Sequence, residues 1–304
     1  MLDQTYQEWS RQTLELLRIE PRLSCAAVFQ AYVRTTLHPE QPAQDQLIHR
    51  AHILYKQALK ACQAEHGLRY LQPGRFLCPG SEGTEMPFLW FFPMAVPSGP
   101  PKPGSVAELL IDRFDRYKQH VKARFVTPHF KRFNRQVLLV DVLTPLYAGQ
   151  AAFEDTARAI AEVTRSMAAH KIARVCVAAT KADHVPELSR ANLSELVAVL
   201  ARDATKPKTS DSVRFKTVAS INSTQEGLGK IGNNDVAVVK GMVDGELRPF
   251  FVGQVPSIWP PASFWERKFF QLPVFQPRPY DPASGVIPHL GLDLVLTDLI
   301  GDLL

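Results

Sequence analysis

Apolar residues recur at intervals of three and four through the first third of the chain and then change to short unbroken runs separated by helical stretches. Tyr6, Trp9, Thr13, Leu16 and Leu17 share one face and predict a helix over 3–18. A second helix is predicted from Ser24, a good N-cap, to Leu37, and a third from Gln44 to about Ala64, with Gly67 as its stop. The breaker His38-Pro39-Glu40-Gln41-Pro42 separates them. Leu71 to Phe76 and the aromatic run Phe88 to Phe92 read as short extended segments around turns. Residues 93–104 hold five prolines and few core formers, which suits a stiff linker or surface loop. Ser105-Val106-Ala107-Glu108 has the form of a capping box and opens a helix that continues to Val121.

Beyond that helix the period changes. Gln136 to Leu143 predicts a strand, Ala151 to Ala169 a helix, Arg174 to Ala179 a strand, Leu188 to Ala204 a helix and Arg214 to Ser220 a third strand. Such alternation is the signature of a parallel sheet with helices on its faces. Val236 to Val252 predicts a hairpin turning at Asp244-Gly245. An aromatic and Pro-rich stretch follows over 255–280, with Trp259, Phe264, Trp265, Phe269, Phe270 and Phe275, and Leu290 to Leu303 reads as a closing helix. The expected organisation is a helical region over 1–92, a linker over 93–104, an α/β core over 105–225, a β-rich insertion over 226–287 and a core-closing helix over 288–304.

Composition changes this picture little. With 45% hydrophobic content, 304 residues can bury one large core or two modest ones. A net charge of +5 is mild for this length and does not by itself imply nucleic acid. No membrane span or basic, apolar leader is legible, so a cytoplasmic protein, at most peripheral to the inner membrane, is expected. Cys25, Cys62, Cys78 and Cys176 lie far apart with no C-x-x-C pair, so neither a zinc site nor a disulfide framework is expected. His49 and His52, an i, i+3 pair, have no acidic or cysteine ligand beside them and read as packed or solvated. The most basic part of the chain carries Arg113, Arg116, Lys118, Lys122, Arg124, Lys131, Arg132 and Arg135. It fits either a contact with an acidic partner or lipid, or a solvated helix face, the reading we favour.

The candidate chemistry lies where the middle strand ends, at Thr180-Lys181-Ala182-Asp183. In an open α/β sheet, ligands bind beyond the carboxyl ends of the strands. A carboxylate offers two acceptor oxygens, and guanine presents two adjacent donors, N1–H and the 2-amino group. Asp183 is therefore placed to select guanine, Lys181 to lay its stem along the base, and Thr180 to brace the loop. In GTPases a short Ser/Ala segment after the next strand offers a backbone N–H to the guanine O6, and Ala219-Ser220, which ends that strand here, resembles it. Two motifs are decoys. Gly227 to Gly232 satisfies G-x-G-x-x-G but leads into β-like runs, and Leu138-Leu139-Val140-Asp141 resembles a magnesium-binding strand end with no phosphate loop beside it. A hydrolase built on Asp141, Asp183 and His184 has no accompanying nucleophile elbow or ligand set.

Thr180-Lys-Ala-Asp183 resembles the base motif of P-loop GTPases. The stretches Tyr6 to Thr13, Leu71 to Phe76, Ala148 to Asp155, Ala178 to Val185, Val218 to Gln225 and Ile287 to Leu294, together with the basic segment before Gln136, resemble the YcjX family of bacterial P-loop GTPases over nearly the whole chain. That resemblance implies a stress-associated GTPase that binds GTP or GDP with magnesium. Guanine contacts would come from Thr180, Lys181, Asp183, Ala219 and Ser220. No G-x-x-x-x-G-K-[ST] occurs among residues 1–304, nor an Asp-x-x-Gly after a strand, and in the family both precede the helix that opens this chain. The expectation is a partial P-loop GTPase-like fold, truncated just downstream of the phosphate loop. Its nucleotide binding would be weak or absent, and it would have no catalytic residues and no metal ligands of its own. The competing reading is a non-enzymatic interaction protein docking a protein partner or a membrane surface.

Overall fold

A computed structural model of the protein describes residues 1–78, 86–129, 133–169, 172–202, 213–266, 272–279 and 282–303, with backbone alone at 129, 166–169 and 202. The chain divides into two units, Met1–Arg132 and Phe133–Leu304.

The first unit is helical. It contains α1 (Tyr6–Leu16), α2 (Arg22–Cys25), α3 (Ala27–Thr36), α4 (Asp45–His66) and α5 (Val106–Val121), followed by a π-helical turn at Lys122–Val126 and the short α6 (Thr127–His129). Thr5 caps α1 in a full capping box with Glu8. Gly67 closes α4 at φ 64°, a conformation that costs a glycine little. Ser24 does not cap a helix. It lies inside α2, its hydroxyl on Glu20 Oε1 at 2.8 Å, and the expected single helix is broken into α2 and α3 at Ala26.

The expected linker is not a boundary between domains. Pro93 and Met94 are buried, and the exposed remainder of 93–104 leads back into the same unit: Ala43 N–H donates to Gly104 O, and Val106 N–H to Gln41 O. The apolar face of α5 explains the return. Val106, Leu110, Phe114 and Tyr117 join a core with Trp9, Phe29, Tyr55 and Phe91, so the helix assigned to the α/β core from the sequence belongs to the helical unit. The expected extended segments hold only in part: Gly74–Phe76 and Pro87–Leu89 are single 3₁₀ turns, and beyond the second the chain passes through that core as extended backbone with no partner strand among the described residues. Its carbonyls are taken by side chains instead: Arg113 donates to Trp90 O, His52 to Phe91 O, Tyr6 to Phe92 O and Ser10 to Met94 O. His52 is thus a packed core histidine, and burial pushes its pKa down to about 4. The cations of α5, and Lys122 just beyond it, are also engaged within the unit. Arg113 pairs with Asp45, Arg116 with Asp112, Lys118 with Asp115 and Lys122 with Asp3. Lys131 and Arg132 lie outside the described residues.

The second unit is α/β. Strands β1 (Arg135–Val140), β2 (Arg174–Ala179) and β3 (Val213–Thr217) form a parallel sheet in the order β1-β2-β3, with Leu138 opposite Val177 and Val177 opposite Phe215. β2 is central and covered on both faces, which is why it reads as an unbroken apolar run. Val175, Val177 and Ala179 pack in one cluster with side chains from α7 (Leu143–Ala148), α8 (Gln150–Ala169) and α9 (Glu187–Arg202). Cys176 and Ala178 face α10 (Leu292–Ile300). α7 was not legible as a helix; Pro145 sits in its first turn, where a missing N–H is tolerated. Asp203 and Ala204, the expected end of α9, lie outside the described residues. No helix among the described residues is long and apolar enough to cross a membrane.

A second sheet is the antiparallel meander β4 (Thr224–Ile231), β5 (Asn234–Val243) and β6 (Glu246–Phe250). The G-x-G-x-x-G sequence lies in β4 and its turn, where a Cβ at Gly229 would come within 2.9 Å of Val238 Cγ1. It serves cross-strand packing. The expected turn Asp244-Gly245 joins β5 to β6 with both residues at positive φ. Trp259 and Trp265 pack on Phe153 of α8, while Phe269, Phe270 and Tyr280 lie outside the described residues.

Gly291, the N-cap of α10, couples that helix to the sheet. Its φ is +64°, and a Cβ there would lie 2.4 Å from the Thr217 carbonyl oxygen at the end of β3. Gly291→Ala should therefore lower unfolding free energy by at least about 2 kcal/mol. Gly232→Ala, at φ +61° with nothing within 4 Å, should cost about 1 kcal/mol. Urea unfolding of the two variants beside the parent checks the difference.

Candidate functional site

The loops leaving β1, β2 and β3 meet beyond the carboxyl ends of those strands. Thr180 extends the β2 ladder by one residue, its N–H donating to Val140 O at 2.8 Å. Lys181 then takes a left-handed conformation, φ 60° and ψ 33°, which costs a side-chain-bearing residue about 1–2 kcal/mol. That turn starts a single 3₁₀ turn, Ala182–His184, and Ala182 N–H donates to Val218 O beyond β3.

Lys181 reaches towards the loop after β1. Its Nζ lies 2.7 Å from Thr144 Oγ1 and 2.9 Å from Asp141 Oδ2. Asp141 also accepts from Thr144 N–H at 3.0 Å and from the Thr144 hydroxyl at 2.7 Å. Burial works to raise the Asp141 pKa, but the Thr144 donors and Lys181 together hold it below the usual carboxylate value. Asp141 thus ties the start of α7 to the Lys181 turn. Both of its oxygens carry hydrogen bonds within the cluster.

Asp183 is only 2% exposed. Its Oδ2 accepts Ser223 N–H at 2.8 Å, and its Oδ1 lies 3.1 Å from His184 Nδ1. The Thr224 hydroxyl donates to the Asp183 backbone carbonyl. Burial alone would push the carboxyl pKa up; the His184 ring and the Ser223 N–H outweigh it and hold the pKa below the usual carboxylate value. His184 is itself held from the far side by the Phe275 ring, edge-on at 4.8 Å between centroids. Ser223, Thr224 and Phe275 lie about forty residues or more away in sequence, and no local signal marks them.

The two residues expected to offer a backbone N–H from the next loop differ. Ala219 N–H donates to Leu290 O at 2.9 Å, and Leu290 N–H returns a bond to Ala219 O. That closed bridge pins the chain before α10 and leaves Ala219 no free donor. Ser220, exposed, has no acceptor for its N–H among the described residues. The structure therefore brings Thr180, Lys181, Asp183 and Ser220 to one end of the parallel sheet and gives Ala219 a structural bond.

The fold and this loop cluster define an α/β protein with polar groups converging past the ends of its parallel strands, the usual place for a ligand in such sheets. The chain belongs to the YcjX-like family, DUF463, whose sequence profile matches residues 1–304. It is 32% identical over 324 aligned positions to the Ras-like GTPase YcjX of Escherichia coli K12, covering 99% of this chain and 69% of that protein. It is 29% identical over 329 positions to the Ras-like GTPase YcjX of Shewanella oneidensis MR-1, covering 99% of this chain and 67% of that protein.

The depressed Asp141 and Asp183 values set a sign for acid stability. A carboxyl whose folded pKa lies below its unfolded one contributes stability above the unfolded value and loses it as pH falls through the folded value. Urea midpoints should hold from neutral pH to about pH 5 and fall steeply below about pH 4. Asp183→Asn should lower stability at neutral pH by about 1–3 kcal/mol and flatten that acid limb. A variant with the parent's acid slope would show that Asp183 is not one of the coupled groups.

Proposed function

We propose that this chain is a guanine-nucleotide-binding member of its family on a P-loop GTPase-like fold. Its base-recognition loop is Thr180 to Asp183, completed by Ser220. The observation that carries the reading is the carboxylate of Asp183, held ionised among N–H donors at the end of the central parallel strand. Such a group is matched to the paired N1–H and 2-amino donors of guanine and has no counterpart on adenine.

In the described conformation the carboxylate is closed, its oxygens facing Ser223 N–H and the His184 ring. Guanine entry exchanges the His184 contact for the base donors, while Ser223 N–H keeps its hold through the remaining lone pairs. Lys181, its ammonium fixed on Asp141 and Thr144, presents its methylene stem as one wall for the base. Of the two candidates Ala219 and Ser220, Ser220 N–H is the donor for the guanine O6, since Ala219 N–H is held by Leu290 O.

The residues present do not fit the rest of a nucleoside triphosphate. Within residues 1–304 there is no G-x-x-x-x-G-K-[ST] to cradle phosphates, and Asp141 is tied to Thr144 and Lys181 rather than presented to a metal ion. We infer weak, base-driven binding and no hydrolysis by these residues. Each charged hydrogen bond to the base supplies only about 1.5–3 kcal/mol.

Thermal unfolding of the purified chain with GTP, GDP and ATP tests this. GTP and GDP at millimolar concentration should raise the melting temperature, ATP should not, and Asp183→Ala should remove the effect. An equal rise with ATP, or no rise with any nucleotide in a sample that unfolds cooperatively, would overturn the proposal.

A further inference from the structure

Two helix ends meet on the surface of the helical unit, and none of their residues belongs to the nucleotide reading. Cys25 is the last residue of α2, and Glu65 with His66 ends α4, which packs against α2. One ligand atom from each, the Cys25 sulfur, a Glu65 carboxylate oxygen and a His66 ring nitrogen, lie within 4.8 Å of one another. Among the described residues, none of the three side chains has a hydrogen bond or ion pair of its own. Three groups that ordinarily ligate metals converge without a protein partner.

Two further features favour a cation at that point. α4 is 22 residues long, and its last-turn carbonyls concentrate negative potential at its C-terminal end, where Glu65 and His66 project. The backbone there is fixed: Gly67 N–H donates to Gln63 O, and Leu68 N–H to Cys62 O. Cys25, half-buried and packed against the aromatic core, supplies a firm anchor, while Glu65 and His66 are exposed and free to adjust their rotamers.

We propose that Cys25, Glu65 and His66 form a binding site for Zn²⁺. The donor set decides the class of ion. A thiolate selects against magnesium and calcium, which take oxygen ligands, and thiolate with imidazole and carboxylate suits zinc. With bonds of about 2.0–2.3 Å, tetrahedral ligand atoms sit roughly 3.4–3.7 Å apart. The shell therefore closes by about an ångström from the described geometry, a movement within the reach of two exposed side chains. Three protein ligands leave the fourth position to water. Binding replaces the thiol proton with the metal, so one proton is released to solvent, and the occupied site ties the end of α2 to the end of α4. The sequence concealed this site because its cysteine and its histidine lie 41 residues apart and share no spaced motif.

The test is titration of the reduced full chain with Co²⁺, then displacement by Zn²⁺. The wild-type chain should develop a thiolate-to-cobalt charge-transfer band that Zn²⁺ abolishes. Cys25→Ser should lack the band, His66→Ala should bind at least about tenfold more weakly, and Cys78→Ser, an exposed thiol outside the cluster, should match wild type. Circular dichroism of each variant establishes that it is folded, and Zn²⁺ should also shield Cys25, but not Cys78, from alkylation read by mass spectrometry. A band retained in Cys25→Ser, a band lost in Cys78→Ser, or no spectral change in the wild-type chain at sub-millimolar Co²⁺ would each overturn the assignment.

Discussion

A carboxylate that is almost wholly removed from water must be surrounded by donors, and the second unit is arranged to supply them to Asp183. One donor is the backbone N–H of Ser223, which fixes where the chain leaves β3 and enters β4. Another is His184, whose ring is held by Phe275, and Phe275 in turn lies so close over β5 that a Cβ at Gly241 would meet it at 2.3 Å. Arg190 of α9 pairs with Glu226 of β4, closing the same region from the other side. The Thr180–Asp183 loop, the antiparallel meander and the segment that carries Phe275 are therefore one mechanical assembly. On the proposed reading, opening the carboxylate to a base disturbs His184 first, and through it the meander.

Lys181 and Asp141 form the counterpart on the other flank. Lys181 has the left-handed backbone that starts the 3₁₀ turn, and its ammonium holds Asp141 and Thr144 at the start of α7. The strain at Lys181 is thus offset by an ion pair and a hydrogen bond that only this conformation permits. Because the sheet is parallel, all three loops emerge at one end, and Ala219 locks the third of them to Leu290 ahead of α10.

How much of this was legible depended on whether the signal was local. β2 was plain because a strand buried on both faces is continuously apolar, and the position of Thr180 to Asp183 was plain because a polar cluster directly ends that run. The partners of Asp183 were not, because one is a backbone amide and the other contact runs through the flanking His184 to a phenylalanine more than ninety residues away. Ser220 could not be separated from Ala219, since which N–H is free depends on the pairing of Leu290. The unit boundary was misplaced for a related reason. A Pro-rich stretch looks the same whether it joins two domains or loops out of one, and only the packing of Phe114 against Trp9, ring centroids 5.2 Å apart, shows that α5 belongs with α1. The basic stretch left a docking contact open beside the favoured solvated face, and only the structure shows Asp3, Asp45, Asp112 and Asp115 pairing with it.

The most direct measurement is the exchange of base preference in Asp183→Asn, by calorimetric titration with GDP and xanthosine diphosphate. Xanthine carries an acceptor oxygen where guanine has its 2-amino donor, so an amide at position 183 complements xanthine as a carboxylate complements guanine. The account predicts that the parent chain favours GDP and the variant favours xanthosine diphosphate, each by about tenfold or more. The same preference in both proteins would contradict the assignment of Asp183 as the residue that reads the base.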